Sequence, residues 1–216
     1  MIDRRTFLSG AGAGIVGATQ GATLPAWGSP PAAKPNILII TTDQQSTDAA
    51  SYRMGTKYIR TPNMDSIAAN GMVFDRAYCA NPLCVPSRTS LFTGRYPTET
   101  GVMSNDDRTQ VSLDPQKFPL MGKIFQAGGY HTGYFGKWHL PCPEKEVGVH
   151  GFATIAASQD DPRTAADAVK FLQAKHDAPF LMMASFLNPH NICEWARGQK
   201  LPGSPRDSGK SSLGQA

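Results

Sequence analysis

Residues Ile37 to Thr42 form an unbroken run of apolar and β-branched positions. Such a run reads as a strand buried on both faces, as in a parallel sheet. It stops abruptly at Asp43-Gln44-Gln45. Two further runs behave alike: His131 to Phe135 leads into Gly136-Lys137-Trp138-His139, and Pro179 to Leu187 leads into Asn188-Pro189-His190. Helical spacing lies between them. Thr61-Pro62-Asn63 supplies an N-cap and a first-turn proline, Met64, Ile67 and Ala68 share a face, and Gly71 is a stop. Pro119–Gly129 is predicted helical with Leu120, Ile124 and Phe125 inward, and 161–175 with Ala165, Ala168, Val169 and Leu172 inward. Pro86 and Gly94 bracket a helix of about two turns, with Pro86 at the first helical position and Cys84 at the N-terminal mouth. Strands alternating with helices predict an α/β fold: a mostly parallel sheet with flanking helices.

Open α/β sheets place their sites beyond the carboxyl ends of strands. Asp43-Gln44, Lys137-Trp138-His139 and His190 all stand at such ends, where the Cys84 helix can reach them. Asp43 and Gln44 are hard oxygen donors, suited to Ca²⁺ or Mg²⁺, but taken alone they read rather as a polar strand end closing a turn. Lys137 and His139 are two apart on an extended segment, which puts them on one face. A helix mouth carries partial positive charge and free N–H groups, which favour an anion. Taken alone, the helix signal favours reading Cys84 as a small buried residue before a Pro-bearing helix. His131, His150 and His176 read as structural.

The ends differ in character. Asp3-Arg4-Arg5-Thr6-Phe7-Leu8 has the twin-arginine pattern and precedes a weakly apolar run holding Gly10, Gly12, Gly14 and Gly17. Residues 1–26 are therefore expected to be an export signal, handled by the twin-arginine machinery, with a periplasmic or secreted destination. Residues 27–35 read as a Pro/Ala linker. Residues 197–216 are rich in Gly and Ser and too polar to bury a core, so they read as a disordered tail. The hydrophobic share of 40% and charged share of 18% are ordinary for a globular domain. Net charge is +4 with Lys and Arg scattered, which excludes a nucleic-acid partner. Cys79, Cys84, Cys142 and Cys193 match no zinc or redox spacing, and mostly free thiols are expected.

Cys84-Val85-Pro86-Ser87-Arg88, followed by Leu91-Phe92-Thr93-Gly94-Arg95, resembles the signature of the type I sulfatases of the alkaline-phosphatase superfamily. The stretch from Thr61 to Phe74 resembles the same family. The resemblance implies that a maturation enzyme converts Cys84 to formylglycine, whose hydrate attacks the sulfur of a sulfate ester. It assigns Asp43, Gln44 and residue 84 to a bound Ca²⁺ (or Mg²⁺), and Arg88 to steadying the hydrate. It assigns Lys137 and His190 to the sulfate, with His190 also near the leaving-group oxygen, and His139 to the proton transfer that expels sulfate. The implied substrate is a sulfated small molecule or glycan. The family more often has two adjacent aspartates where this chain has Asp43-Gln44. The Asp-Gln form resembles choline-sulfatase-like members and phosphonate monoester hydrolases, which keeps a phosphonate monoester or phosphodiester hydrolase as an alternative. The likeness covers roughly residues 34 to 196, the N-terminal part of a sulfatase catalytic region. No Asp-Asn or Asp-His pair follows His190. A truncated fold, weak metal binding and little turnover are therefore expected of the isolated chain, with a non-catalytic remnant as the third reading.

Overall fold

The computed structural model describes residues 34–105 and 113–198. The chain divides into two units, Met1–Lys34 and Pro35–Ala216, and the described residues belong almost wholly to the second. The export signal over 1–26, most of the linker over 27–35 and nearly all of the tail over 197–216 lie outside the described residues.

Four parallel strands form one sheet among the described residues: β1 (Ile37–Asp43), β2 (His131–Gly136), β3 (Thr154–Ala157) and β4 (Phe180–Pro189), in the order β1-β4-β2-β3. Ile37 pairs with Leu181, and His131 with Phe180, so the three long strands begin level. Their polar carboxyl ends therefore emerge together. The helices are α1 (Ser51–Met54), α2 (Pro62–Asn70), α3 (Cys84–Thr93), α4 (Pro97–Thr100), α5 (Met121–Ala127), α6 (Val147–His150), α7 (Asp161–Gln173) and α8 (Ile192–Ala196).

β4 is central, and its side chains alternate between two cores. Leu181 and Met183 join Val85 and Phe92 of α3, Tyr134 of β2, Phe152 and Leu120. Phe180, Met182 and Ala184 join Phe135 and, from α7, Ala168 and Phe171. β1 spans only the first of these. Ile37 and Ile39 pack there, whereas Leu38 and Ile40 are 46% and 54% exposed. The strand predicted to be buried on both faces is thus an edge strand covered on one.

The remaining differences have local causes. α3 begins at Cys84 rather than Pro86, because Leu83 takes the extended N-cap conformation. Pro86 stands third, where a missing N–H is still no loss. Gly94 ends the helix with φ 66°, left-handed as its position past the helix predicts. α7 buries Thr164, Ala168 and Phe171, while Val169 and Leu172 are 49% and 39% exposed. On α5 Ile124 is 54% exposed, and Leu120, just before the helix, is fully buried. α2 buries none of its residues, and its Thr61 side chain does not cap it. It is held instead by Asp65, which accepts from Ser51 Oγ at 2.6 Å, Thr61 Oγ1 at 2.9 Å and the Tyr52 N–H at 3.0 Å.

His150 is fully buried, and its tautomer is fixed by its neighbours. The Phe152 N–H donates to Nδ1 at 3.1 Å, so Nε2 carries the proton and donates to the Glu144 carbonyl at 3.0 Å. The structural readings of His131 and His176 agree with their contacts: the rings lie 5.7 Å apart, and His176 also meets Phe171 and Phe180. All four cysteines are free thiols.

Candidate active site

The level strand ends gather Asp43 from β1, Lys137 just after β2 and His190 just after β4, with Cys84 and Arg88 arriving from α3. Each is placed by a local device. Asp43 is the last residue of β1, and Gln44 follows with φ 62°, which turns the chain away. Gly136 has φ 98°, and a Cβ there would lie 2.0 Å from the Ser185 carbonyl oxygen. Only glycine fits, and the turn it makes aims Lys137 back across the sheet end. α3 has no cap from Leu83; Asn105, from a distant loop, accepts from the Val85 N–H at 2.9 Å.

The side chains then interlock. Asp43, Arg88 and Lys137 have side chains 9%, 10% and 8% exposed. Lys137 Nζ meets Asp43 Oδ2 in a close ion pair, and Arg88 Nη2 lies 3.4 Å from the same oxygen. Asp43 Oδ1 is 3.7 Å from Cys84 Sγ, and Lys137 Nζ is 3.8 Å from that sulfur. The second guanidinium nitrogen of Arg88 donates to the Lys137 carbonyl at 2.9 Å, Ser185 Oγ at 2.9 Å and Tyr134 Oη at 3.3 Å. Burial pushes the Asp43 carboxyl up. The hydrogen bond and charge of Lys137, then the charges of Arg88 and His190, outweigh this and hold it below its ordinary value. Burial raises the Tyr134 phenol above its ordinary value, so it keeps its proton and donates to the Lys137 carbonyl.

Two cavities flank this cluster. One, of about 630 Å³, holds Cys84, Asp43, Gln44, Ser87, Arg88 and His190 on its walls. The other, of about 410 Å³, is lined by Lys137, Trp138, His139, Ser158, His190 and Glu194 among others. A larger, mostly apolar cavity of about 710 Å³ beside Phe135 and Phe171 includes none of the candidate residues.

One expectation needs correction. The segment from Lys137 to His139 is not extended, because Gly136 and His139 both have positive φ (98° and 48°). Lys137 is buried against Asp43, while His139 is exposed and lines the second cavity instead of the one that holds Cys84. Gln44 lines the cavity that holds Cys84 and Asp43, and its amide pairs with the thiol of Cys193, at 3.5 and 3.6 Å. Other positions escaped the sequence reading. Tyr134 and Ser185 support Arg88, Asn105 caps α3, and Glu194 sits beside His190. Ser185, a lone hydroxyl inside an apolar strand, was the one visible signal. Asp161 accepts from the Leu187 and Asn188 N–H groups at 2.7 and 2.9 Å and so fixes the approach to His190.

The donors fit a hard cation in kind but not in number. Asp43 offers a carboxylate and Gln44 an amide oxygen, against the six to eight oxygens that Ca²⁺ takes. Among the described residues no group of three or more His, Cys, Asp or Glu is placed to hold a metal.

A sulfatase family profile matches residues 35–209. The chain belongs to the sulfatase family. It is 34% identical over 199 residues to the Escherichia coli protein named uncharacterized sulfatase YidJ, covering 73% of this chain and 39% of that one. It is 33% identical over 175 residues to a Δ4,5-hexuronate-2-O-sulfatase of Bacteroides thetaiotaomicron, covering 74% and 35%. The structure of a 2-O glycosaminoglycan sulfatase superposes with a TM-score of 0.66 at 30% identity, covering 78% of this chain and 38% of that one. A phosphonate monoester hydrolase of Agrobacterium radiobacter superposes at 0.54 with 22% identity, covering 73% and 41%, which shows a shared fold. The chain spans between a third and two fifths of the length of these curated relatives and corresponds to the N-terminal part of the family. The sheet with flanking helices is thus the sulfatase-like α/β architecture.

Proposed function

We propose that the chain carries the nucleophile-bearing N-terminal part of a sulfuric ester hydrolase acting on sulfated glycans or sulfated small molecules. The observation that carries this reading is the meeting of Cys84 at the mouth of α3 with Lys137 and Asp43, 3.8 and 3.7 Å from its sulfur. A residue there can receive a small oxygen group and hold it by charge. Converted to formylglycine by a maturation enzyme, residue 84 would supply a hydrated aldehyde as attacking group, and Ca²⁺ or Mg²⁺ at Asp43 and Gln44 would add positive charge. The chain's own residues do the rest. The N–H groups at the start of α3 and the Lys137 ammonium attract the sulfate oxygens. Arg88 is committed to Asp43, Tyr134, Ser185 and the Lys137 carbonyl, so it fixes the floor of the site more than it reaches substrate. His139 and His190, on the walls of the second cavity, are placed to move protons near neutral pH. That cavity also presents Ser158, Gln159 and Glu194, which suits an alcohol rich in hydroxyl groups. The curated relatives that name a substrate include sulfatases of hexuronate and N-acetylglucosamine sulfates, which supports a glycan.

The test is co-expression with a formylglycine-generating enzyme and mass analysis of the peptide holding residue 84. Conversion of thiol to aldehyde is expected; a thiol left wholly unconverted overturns the reading. Hydrolysis of 4-nitrophenyl sulfate in excess of the matching phenylphosphonate ester then selects sulfate over phosphonate. Two oxygen donors predict weak Ca²⁺ binding by calorimetry. We further propose export by the twin-arginine route to the periplasm or beyond. Replacing Arg4 and Arg5 by Lys should leave the chain in the cytoplasmic fraction.

A further inference from the structure

His190 stands where the two cavities meet, since its ring lines both. Its Nδ1 atom is buried and has no hydrogen-bond partner. That atom lies 3.7 Å from Glu194 Oε1, one turn on in α8. Glu194 Oε2 is likewise buried and unpartnered. The two side chains are 27% and 25% exposed. A carboxylate this sheltered has given up most of its hydration and needs a donor. The other charged or titratable groups around His190 are Asp43, Arg88, Cys79 and Cys84 in one cavity and Lys137, His139 and Glu144 in the other. With Nδ1 turned to Glu194, the ring edge left to face the cavities carries Nε2.

We propose that Glu194 is the positioning residue for His190: it takes the Nδ1–H and thereby presents Nε2–H to the leaving-group oxygen of the sulfate ester. The inference rests on the sulfatase reading above. The 3.7 Å separation is an ion-pair distance that a small side-chain rotation closes to a hydrogen bond, and such contacts are commonly long before substrate arrives. As the sulfur–oxygen bond to the alcohol breaks, its electron pair stays on the alcohol oxygen and the Nε2 proton joins it there. The imidazole is left neutral, with Nδ1–H still on Glu194, and recovers its proton from water. Sugar alcohols are poor leaving groups, so a glycan sulfate needs this proton and an activated aryl sulfate does not. Glu194 thus deepens the choice of substrate class as well as the assignment of roles.

Nitrogen-detected NMR of the imidazoles in the full chain tests this without turnover. Free imidazole favours the Nε2–H tautomer; His190 is expected to show Nδ1 protonated instead. Glu194→Ala should return it to the Nε2–H tautomer. Glu194→Gln, which keeps shape and an acceptor oxygen, should retain the Nδ1–H tautomer. Unchanged His150 signals report that each variant is folded. A wild-type His190 already in the Nε2–H form, or no change in Glu194→Ala, overturns the proposal. Either result leaves the sulfatase reading standing, since that is judged separately by aldehyde formation and aryl sulfate hydrolysis.

Discussion

The two faces of this sheet are built from the same strands and finished differently. On the face toward α3, alternate residues of β1, β4 and β2 all find partners, and Phe92, Leu120, Tyr134 and Phe152 are fully buried or nearly so. On the face toward α7, packing reaches Phe180, Met182 and Ala184 of β4 but stops before β1, where Leu38 and Ile40 meet solvent. The candidate site draws its rigidity from the finished side. Cys84, Arg88 and Phe92 lie on one helix, and the residues that bury Phe92 also set the angle at which Cys84 meets Asp43 and Lys137. Chemistry is thus anchored to the face whose packing is complete within the described residues.

The largest expected effect that tests this contrast is Phe92→Ala. Loss of a buried aromatic from a close-packed core costs about 3–5 kcal/mol, read as a lower urea midpoint at unchanged slope. Arg88→Met comes next. It strands Asp43 with one cation instead of two and strips donors from Ser185 and the Lys137 carbonyl, so a loss near 3 kcal/mol is expected, the low end for breaking a buried pair. A milder cost than for a surface substitution would show that the site is not tied into the core.

A third effect depends on pH. Burial lowers the His150 imidazole below its ordinary value of 6.5, with the Glu144 carbonyl and the Glu146 charge partly offsetting it. The unfolded chain therefore binds this proton first. Its contribution is fully present above about pH 6.5 and declines as pH falls below that, until the folded ring too is protonated. Urea midpoints measured from pH 8 down to 5 should show the decline, and His150→Asn should flatten it. The smallest effect belongs to the unfinished face. Leu38→Ser and Ile40→Ser should each change stability by under about 0.5 kcal/mol, while reducing self-association in light scattering. A cost like that of Phe92→Ala would mean that this face is covered after all.

The three strands that end in chemistry were legible because their apolar runs stop sharply at Asp43, Gly136 and Leu187 or just beyond. Gly94 was legible for a steric reason, since its left-handed φ is what a helix stop requires. Burial was less so. Spacing on α7 shows that Ala165, Val169 and Leu172 can share a stripe, but Thr164 and Phe171 won the inner face because the β2–β4 surface offered room there. The outer face of β1 misled for a related reason: an apolar run records what a strand can bury, not what stands opposite it. β3 went unpredicted because Thr154–Ala157 is only four residues long and weakly apolar. In the site, the residue types at Asp43, Cys84, Arg88 and Lys137 were visible, but positive φ values at Gly136 and His139 separated His139 from Lys137, and no pattern of side chains announces those.

Arg88 ties three of the four strands to one helix through Asp43, the Lys137 carbonyl, Tyr134 and Ser185. For anyone redesigning this pocket, that makes Arg88 a foundation stone and not a tuning knob. Specificity is best altered at Ser158 and Gln159, which line a cavity wall without holding the strands together. The same arrangement implies that a descendant whose pocket had lost its ligand would still be under pressure to keep its arginine, simply to stay folded.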